Sequence, residues 1–204
     1  MKFCEELHTK SMDQNSNKKE VYNEWANNYD EYVKSLNYKG PKELVSKVFS
    51  NIEALPAKFS ILDFGCGTGL VGEEIVKLKL NCLIDGIDIS DKMIEIANSK
   101  NIYNKIYNIN LHNEEFIEDK KYDIIVSSGV FLEGHANFNV IDKLSPLLKK
   151  DGMIVVTIRD SYKDKNKETF NTYFKNNTLF SSQNVSKIKY LPNVECSLVI
   201  LKNN

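Results

Sequence analysis

The sequence predicts an α/β fold: a doubly wound, mostly parallel sheet of seven strands with a closing antiparallel strand and an N-terminal helical cap. Three observations carry this. Between Phe59 and Ile158 short apolar runs alternate with stretches of helical period, the pattern of strands joined by crossover helices. A glycine cluster, Gly65-Cys66-Gly67-Thr68-Gly69, stands between the first run and the helical stretch after it. The last two runs, Val185–Tyr190 and Val194–Leu201, flank a short Pro192-Asn193 turn and read as a hairpin, the source of the antiparallel strand.

The elements follow in order. Residues 1–17 are polar and read as a mobile tail, and residues 18–204 as one domain, with a helical cap or lid at 18–56 and a sheet core at 57–204. From Lys18 to Leu36, Val21, Tyr22, Trp25, Tyr29, Tyr32, Val33 and Leu36 recur at steps of three and four, an amphipathic helix with a possible break at Asn27-Asn28. Gly40-Pro41 stops it, and Pro41 opens a second helix through Leu44, Val45, Val48, Phe49 and Ile52, which ends by Pro56. Strands are then predicted at Phe59–Phe64, Cys82–Ile87, Ile102–Ile109, Tyr122–Ser127 and Met153–Ile158. Helices are predicted at Leu70–Leu78, Asp91–Ser99 with Ser90 or Asp91 as N-cap, Asn139–Lys149 and Lys165–Phe174.

Composition excludes several classes. A length of 204 residues suits one domain. With 27 Lys+Arg against 28 Asp+Glu the net charge is −1, without the basic excess of a nucleic-acid binder. Arg159 is the only arginine, so the guanidinium forks that grip phosphates and guanines are nearly absent. Cysteines 4, 66, 82 and 196 form no CxxC pair; they read as reduced thiols of a cytoplasmic protein, without a metal site. No apolar run approaches the ~20 residues of a membrane span.

The glycine loop carries the chemistry. Four of the nine glycines fall in Asp63-Phe64-Gly65-Cys66-Gly67-Thr68-Gly69-Leu70-Val71-Gly72. Such a loop brings a nucleotide-type cofactor to the carboxyl ends of parallel strands. Gly67 to Gly72 satisfies GxGxxG, which alone also fits an NAD(P)-dependent reductase. Asp63 tips the choice, because a carboxylate at the strand end repels a pyrophosphate and suits an ammonium group. The late Tyr-xxx-Lys pair of single-domain reductases is missing; that spacing occurs only at Tyr38 and Lys42. Asp88, about twenty residues past the loop, stands where an acid grips ribose hydroxyls. An acid for an amine, glycines for a carboxylate or ribose, and an acid for a diol together describe S-adenosylmethionine (SAM).

Asp63, the glycine pattern and Gly86-Ile87-Asp88-Ile89-Ser90 resemble the class I SAM-dependent methyltransferases, whose sheet is Rossmann-like. Tyr22-Asn23-Glu24-Trp25-Ala26-Asn27-Asn28-Tyr29-Asp30 looks like the YDxWAxxYD helix of many small-molecule methyltransferases. With Tyr38-Lys39-Gly40-Pro41 and Gly129-Val130-Phe131-Leu132-Glu133-Gly134-His135, residues 20–162 are similar to the methyltransferase-like proteins named for the Williams–Beuren syndrome chromosomal region.

The resemblance implies a methyltransferase acting on a small-molecule acceptor. A non-catalytic binder of SAM or its product S-adenosylhomocysteine (SAH), or a partner subunit, is the alternative. Cofactor contacts are expected from Tyr22, Trp25 and Tyr29 on the lid, from Asp63, Gly65, Cys66, Gly67, Gly69 and Leu70 at the loop, and from Asp88, Ile89 and Met93 around ribose and adenine. Ser128 and Gly129 are expected near the transferred methyl, and Asn110-Leu111 stands where many members carry Asp-Leu against adenine. His135 is the candidate general base, with a loop-ordering role as the alternative. The DPPY tetrad of amino-methyltransferases of adenine or glutamine and the Pro-Cys pair of cytosine enzymes are absent, which directs the acceptor away from nucleic acid.

Overall fold

Burial on both faces makes the central strands. The computed structural model describes residues 2–50, 55–110 and 120–203. β1 (Phe59–Phe64) is buried at every position. Its Phe59 and Ile61 enter one core with α3 (Gly40–Val48) and α4 (Leu70–Lys77). Leu62 and Phe64 enter the other, with residues of α6 (Val140–Leu144) and Phe174 of α8 (Lys167–Asn176). The two-residue period thus supplies two helix layers from one strand. The remaining strands are β2 (Cys82–Asp88), β3 (Lys105–Asn108), β4 (Tyr122–Phe131), β5 (Leu148–Arg159), β6 (Phe180–Leu191) and β7 (Val194–Asn203). They order as β3-β2-β1-β4-β5-β7-β6, with β7 antiparallel to both neighbours. This is the Rossmann-like sheet with a closing antiparallel strand that the alternation predicts.

The N-terminal segment is a correction. Residues read as a mobile tail form α1 (Lys2–Met12), whose Cys4 and Leu7 are buried against Val21, Trp25, Tyr32 and Val33 of α2 (Lys18–Ser35). A polar composition hid it, because three buried positions (4, 7 and 11) at helical spacing suffice to dock a short helix. α2 is unbroken through Asn27-Asn28 and is capped by the Asn17 side chain, which accepts from the Glu20 amide.

Other boundaries move for local reasons. The predicted helix 139–149 ends early: Pro146 lacks an amide hydrogen, so α6 passes into a 3-10 turn, Ser145–Leu147, and β5 begins at Leu148. The expected turn near residue 151 survives as an irregularity of β5, with Asp151 at φ 63°. The predicted helix 165–174 is two, α7 (Asp160–Lys165) and α8, parted at Asn166. β4 runs on past Ser127 to Phe131 through a register shift. β3 starts at Lys105, leaving Ile102 and Tyr103 before it. Ile52 and Leu111 lie outside the described residues. α5 (Asp91–Ser99) keeps its expected start, capped by Ser90. Phe174 is buried and Tyr162, Phe170 and Tyr173 pack on the same core around Phe138, as their helical spacing suggests. Among the described residues no helix is long and apolar enough to cross a membrane.

Candidate functional site

The carboxyl ends of β1, β2 and β4 meet beneath α2, and the turn after β1 is built from glycine. Gly65 has φ 71°, and a Cβ there would stand 2.2 Å from Cγ2 of Val130. Gly67 has φ 53° with nothing within 4 Å of where a Cβ would stand. One glycine is required by packing, the other leaves open space beside the backbone. Gly69, at φ 96°, precedes α4 as its N-cap.

The later glycines make room for a residue the sequence reading overlooked. A Cβ at Gly69, Gly72 or Gly86 would approach the Tyr103 ring or hydroxyl at 3.1, 2.8 and 3.3 Å. Tyr103 thereby lies across the loop, and its hydroxyl donates to Asp63 Oδ2 at 2.7 Å. Asp63 is fully buried, and its Oδ1 has no hydrogen-bond partner among the described residues. Burial pushes the Asp63 carboxyl up from 3.8 to about 7, the Asp88 charge adds to the shift, and the Tyr103 bond opposes it.

Above this turn lies a cavity of about 520 Å³. Of the expected cofactor residues, Tyr22, Tyr29, Gly65, Gly67, Asp88, Ile89, Met93, Asn110, Ser128 and Gly129 line it, and so does His135. Asp88 is held by amides: Gly67 N–H donates to Oδ2 at 2.8 Å and Ser90 N–H to Oδ1 at 2.9 Å. Burial still raises the Asp88 pKa, against these bonds. Five expected residues do not line the cavity, each for a packing reason. Asp63 sits beneath the loop. Cys66 is buried, its Sγ 2.8 Å from where a Gly86 Cβ would stand. Gly69 lies against Tyr103, and Leu70 packs against the α1–α2 cluster. Trp25 turns to the α1 side of α2, 5.8 Å from His8 ring to ring. Leu111 lies outside the described residues. Among the described residues no group of three or more His, Cys, Asp or Glu is placed to hold a metal ion.

α2 is tied to the site by polar contacts as well as packing. Asp30 accepts from Thr68 Oγ1 in the loop and pairs with Lys100 at 2.8 Å. The Asn23 Oδ1 accepts from Ser90 Oγ at 2.7 Å and from the Lys92 amide at 3.1 Å. The resembled helix often has Asp at that position, and Asn keeps the acceptor oxygen these bonds require. Neither contact was foreseen, since each joins residues far apart in the chain.

His135 closes the opposite wall. Its Nδ1 lies 2.8 Å from the Glu133 carbonyl, which can only accept, so the proton sits on Nδ1. Nε2 therefore accepts from the Tyr22 hydroxyl at 2.7 Å. Burial pushes His135 down to about 4, so the ring is neutral near pH 7 with both nitrogens engaged.

A family model described as a methyltransferase domain matches residues 56–195. Malonyl-[acyl-carrier protein] O-methyltransferase 2 of Ilyobacter polytropus is 32% identical over 149 residues, 69% of this chain and 54% of that protein. Methyltransferase-like protein 27 of Homo sapiens is 29% identical over 139 residues, 68% of this chain and 56% of that protein. The chain thus spans about half the length of these relatives. Among solved structures, the plantazolicin methyltransferase BpumL in complex with SAH aligns at TM-score 0.63 and 19% identity, over 100% of this chain and 98% of that one. Magnesium protoporphyrin IX methyltransferase of Synechocystis with bound SAM aligns at 0.58 and 16% identity, over 84% and 82%. These two likenesses show the shared fold.

The buried acid has a pH signature. Its folded pKa of about 7 exceeds the unfolded value of 3.8, so the ligand-free protein loses stability as pH rises from 4 to 7. Asp63→Asn removes that penalty. Urea unfolding is expected to show the variant more stable than the parent by roughly 1–4 kcal/mol at pH 8, the difference closing at pH 4.

Proposed function

The chain belongs to the methyltransferase-domain family of class I SAM-dependent enzymes, and from that premise we propose that it transfers a methyl group to a small-molecule acceptor. When bound, SAM would supply an electrophilic sulfonium methyl for an acceptor's lone pair. The chain's own task is to bind and orient, and orientation alone can supply about 7–11 kcal/mol.

The observation that carries this reading is the buried Asp63 with an unpartnered oxygen under the glycine loop. Asp63 acts through the glycine loop and not from the cavity wall: its charge favours an ammonium group seated above the turn and opposes a pyrophosphate, which favours SAM over a dinucleotide. Gly65 and Gly67 let the methionine part approach the backbone. Asp88, fixed by two amides, offers its remaining lone pairs to the ribose hydroxyls. Ile89 and Met93 flank adenine, with Asn110 beyond them on the same cavity wall. Tyr29 and Tyr22 cover the sulfonium side, where aromatic faces contribute about 0.5–2 kcal/mol. The match to methyltransferase-like protein 27 supports the finer kinship with methyltransferase-like proteins.

His135 is assigned a positioning role. A base with pKa about 4 gives little driving force for removing a proton near neutrality, and its Nε2 is committed to Tyr22. The pair holds the lid helix to the loop after β4. The small-molecule reading draws support from the near-neutral charge and from the cavity of about 520 Å³.

Calorimetric titration tests the assignment. SAH is expected to bind with 1:1 stoichiometry and NAD to give no heat; NAD binding without SAH binding overturns the reading. Asp88→Ala is expected to weaken SAH by roughly 10–100-fold, the value of losing charged hydrogen bonds of about 1.5–3 kcal/mol. Methyl transfer into an extracted metabolite pool separates the enzyme from a non-catalytic binder. In the same titration, His135→Ala and Tyr22→Phe are expected to weaken SAH alike, by about 3–10-fold. His135→Gln, whose amide oxygen can replace Nε2, is expected to stay within about twofold.

A further inference from the structure

We propose that the small cavity behind Tyr22 and Tyr29 seats a carboxylate of the methyl acceptor, held by Arg159 and Trp25; this rests on the methyltransferase reading above. The cavity measures about 70 Å³ and shares Tyr22, Tyr29 and Gly129 with the larger one. That exceeds the ~10–15 Å³ one water needs and suits a head group rather than a ring system. Its position puts an acceptor atom on the far side of the two tyrosines from the adenosine site, next to the turn at Gly129.

The chemistry of the wall selects the occupant. Trp25 is 2% exposed, lines this cavity, and its Nε1–H has no hydrogen-bond partner among the described residues. Arg159 at the end of β5 lines it too, and its buried Nε–H has none. A buried donor left unpaired costs about 1–3 kcal/mol, and more when charged. Two such donors at one small cavity call for a ligand that accepts twice and carries negative charge. Glu133 forms an ion pair with Arg159, its Oε2 4.0 Å from Nη1, and that oxygen is itself buried without a hydrogen-bond partner among the described residues; the pair balances part of the guanidinium charge and leaves Nε–H available. The chain otherwise uses lysine for its basic charge, and this lone arginine offers the planar fork that matches a carboxylate.

His8, Ser11 and Met12 of α1 complete the wall.

The single tryptophan provides the readout, since Trp25 is the only one in the chain. The SAH-saturated protein is titrated with hexanoate and with hexanamide, matched in size and differing in charge. Hexanoate is expected to change Trp25 fluorescence saturably, and hexanamide to bind at least tenfold more weakly. By calorimetry, Arg159→Gln is expected to weaken hexanoate at least tenfold and Trp25→Phe several-fold, with SAH affinity within twofold of the parent. Equal binding of acid and amide, no binding of hexanoate, or unchanged hexanoate affinity in Arg159→Gln overturns the proposal. So does loss of SAH affinity in both variants, which makes the two residues structural. Failure of the parent to bind SAH overturns the methyltransferase reading, and this proposal falls with it.

Discussion

The hydrogen bond from Tyr103 to Asp63 organises the site because it resolves a conflict built into the fold. The end of β1 is buried on both faces, yet it carries a carboxylate. Tyr103 satisfies one oxygen by lying across the loop, and that crossing crowds the positions of Gly69 and Gly72, where a Cβ would stand 3.1 and 2.8 Å from the ring or hydroxyl. The second and third glycines of the GxGxxG pattern thus serve a tyrosine here. The other Asp63 oxygen stays unpaired, and the loop holds a buried acid at a cost in ligand-free stability. Under the proposed function, a cationic cofactor group above the loop would offset that cost on binding.

The lid is held by the same economy of polar contacts. Asp30 joins α2 to Thr68 and Lys100, Asn23 joins it to the N-terminus of α5, and Tyr22 joins it to His135. Of these, the Tyr22–His135 contact lies in the wall of the large cavity. α1 reinforces α2 from behind through Leu7 and Cys4, so the helical cap has two layers where one was expected. The two cavities meet at Tyr22, Tyr29 and Gly129, an arrangement suited to two ligands approaching one another across an aromatic partition.

Much of this was legible in the sequence. Apolar runs gave the strands of the core because burial on both faces demands them, and the hairpin at Pro192-Asn193 gave the antiparallel strand. Asp88, Ile89, Gly65 and Gly67 were readable because chain geometry alone puts them at the strand ends. α1 was not, since its three buried positions sit in a polar segment. Tyr103 was not, because its partner is forty residues away and its role depends on the path of a side chain. Trp25 was placed on the correct helix and the wrong face: three residues after Tyr22, it turns toward α1. The expected base His135 was located correctly, while its depressed pKa and its bond to Tyr22 come from burial that no motif reports.

The central claim is that Asp63 is a buried acid completed by the cofactor's ammonium group. Carboxyl carbon NMR of Asp63, titrated with and without SAH, measures this directly. The account predicts a pKa near 7 in the free protein and a fall of at least two units when SAH is bound, as a cation favours the charged form. A pKa unchanged by saturating SAH would contradict it.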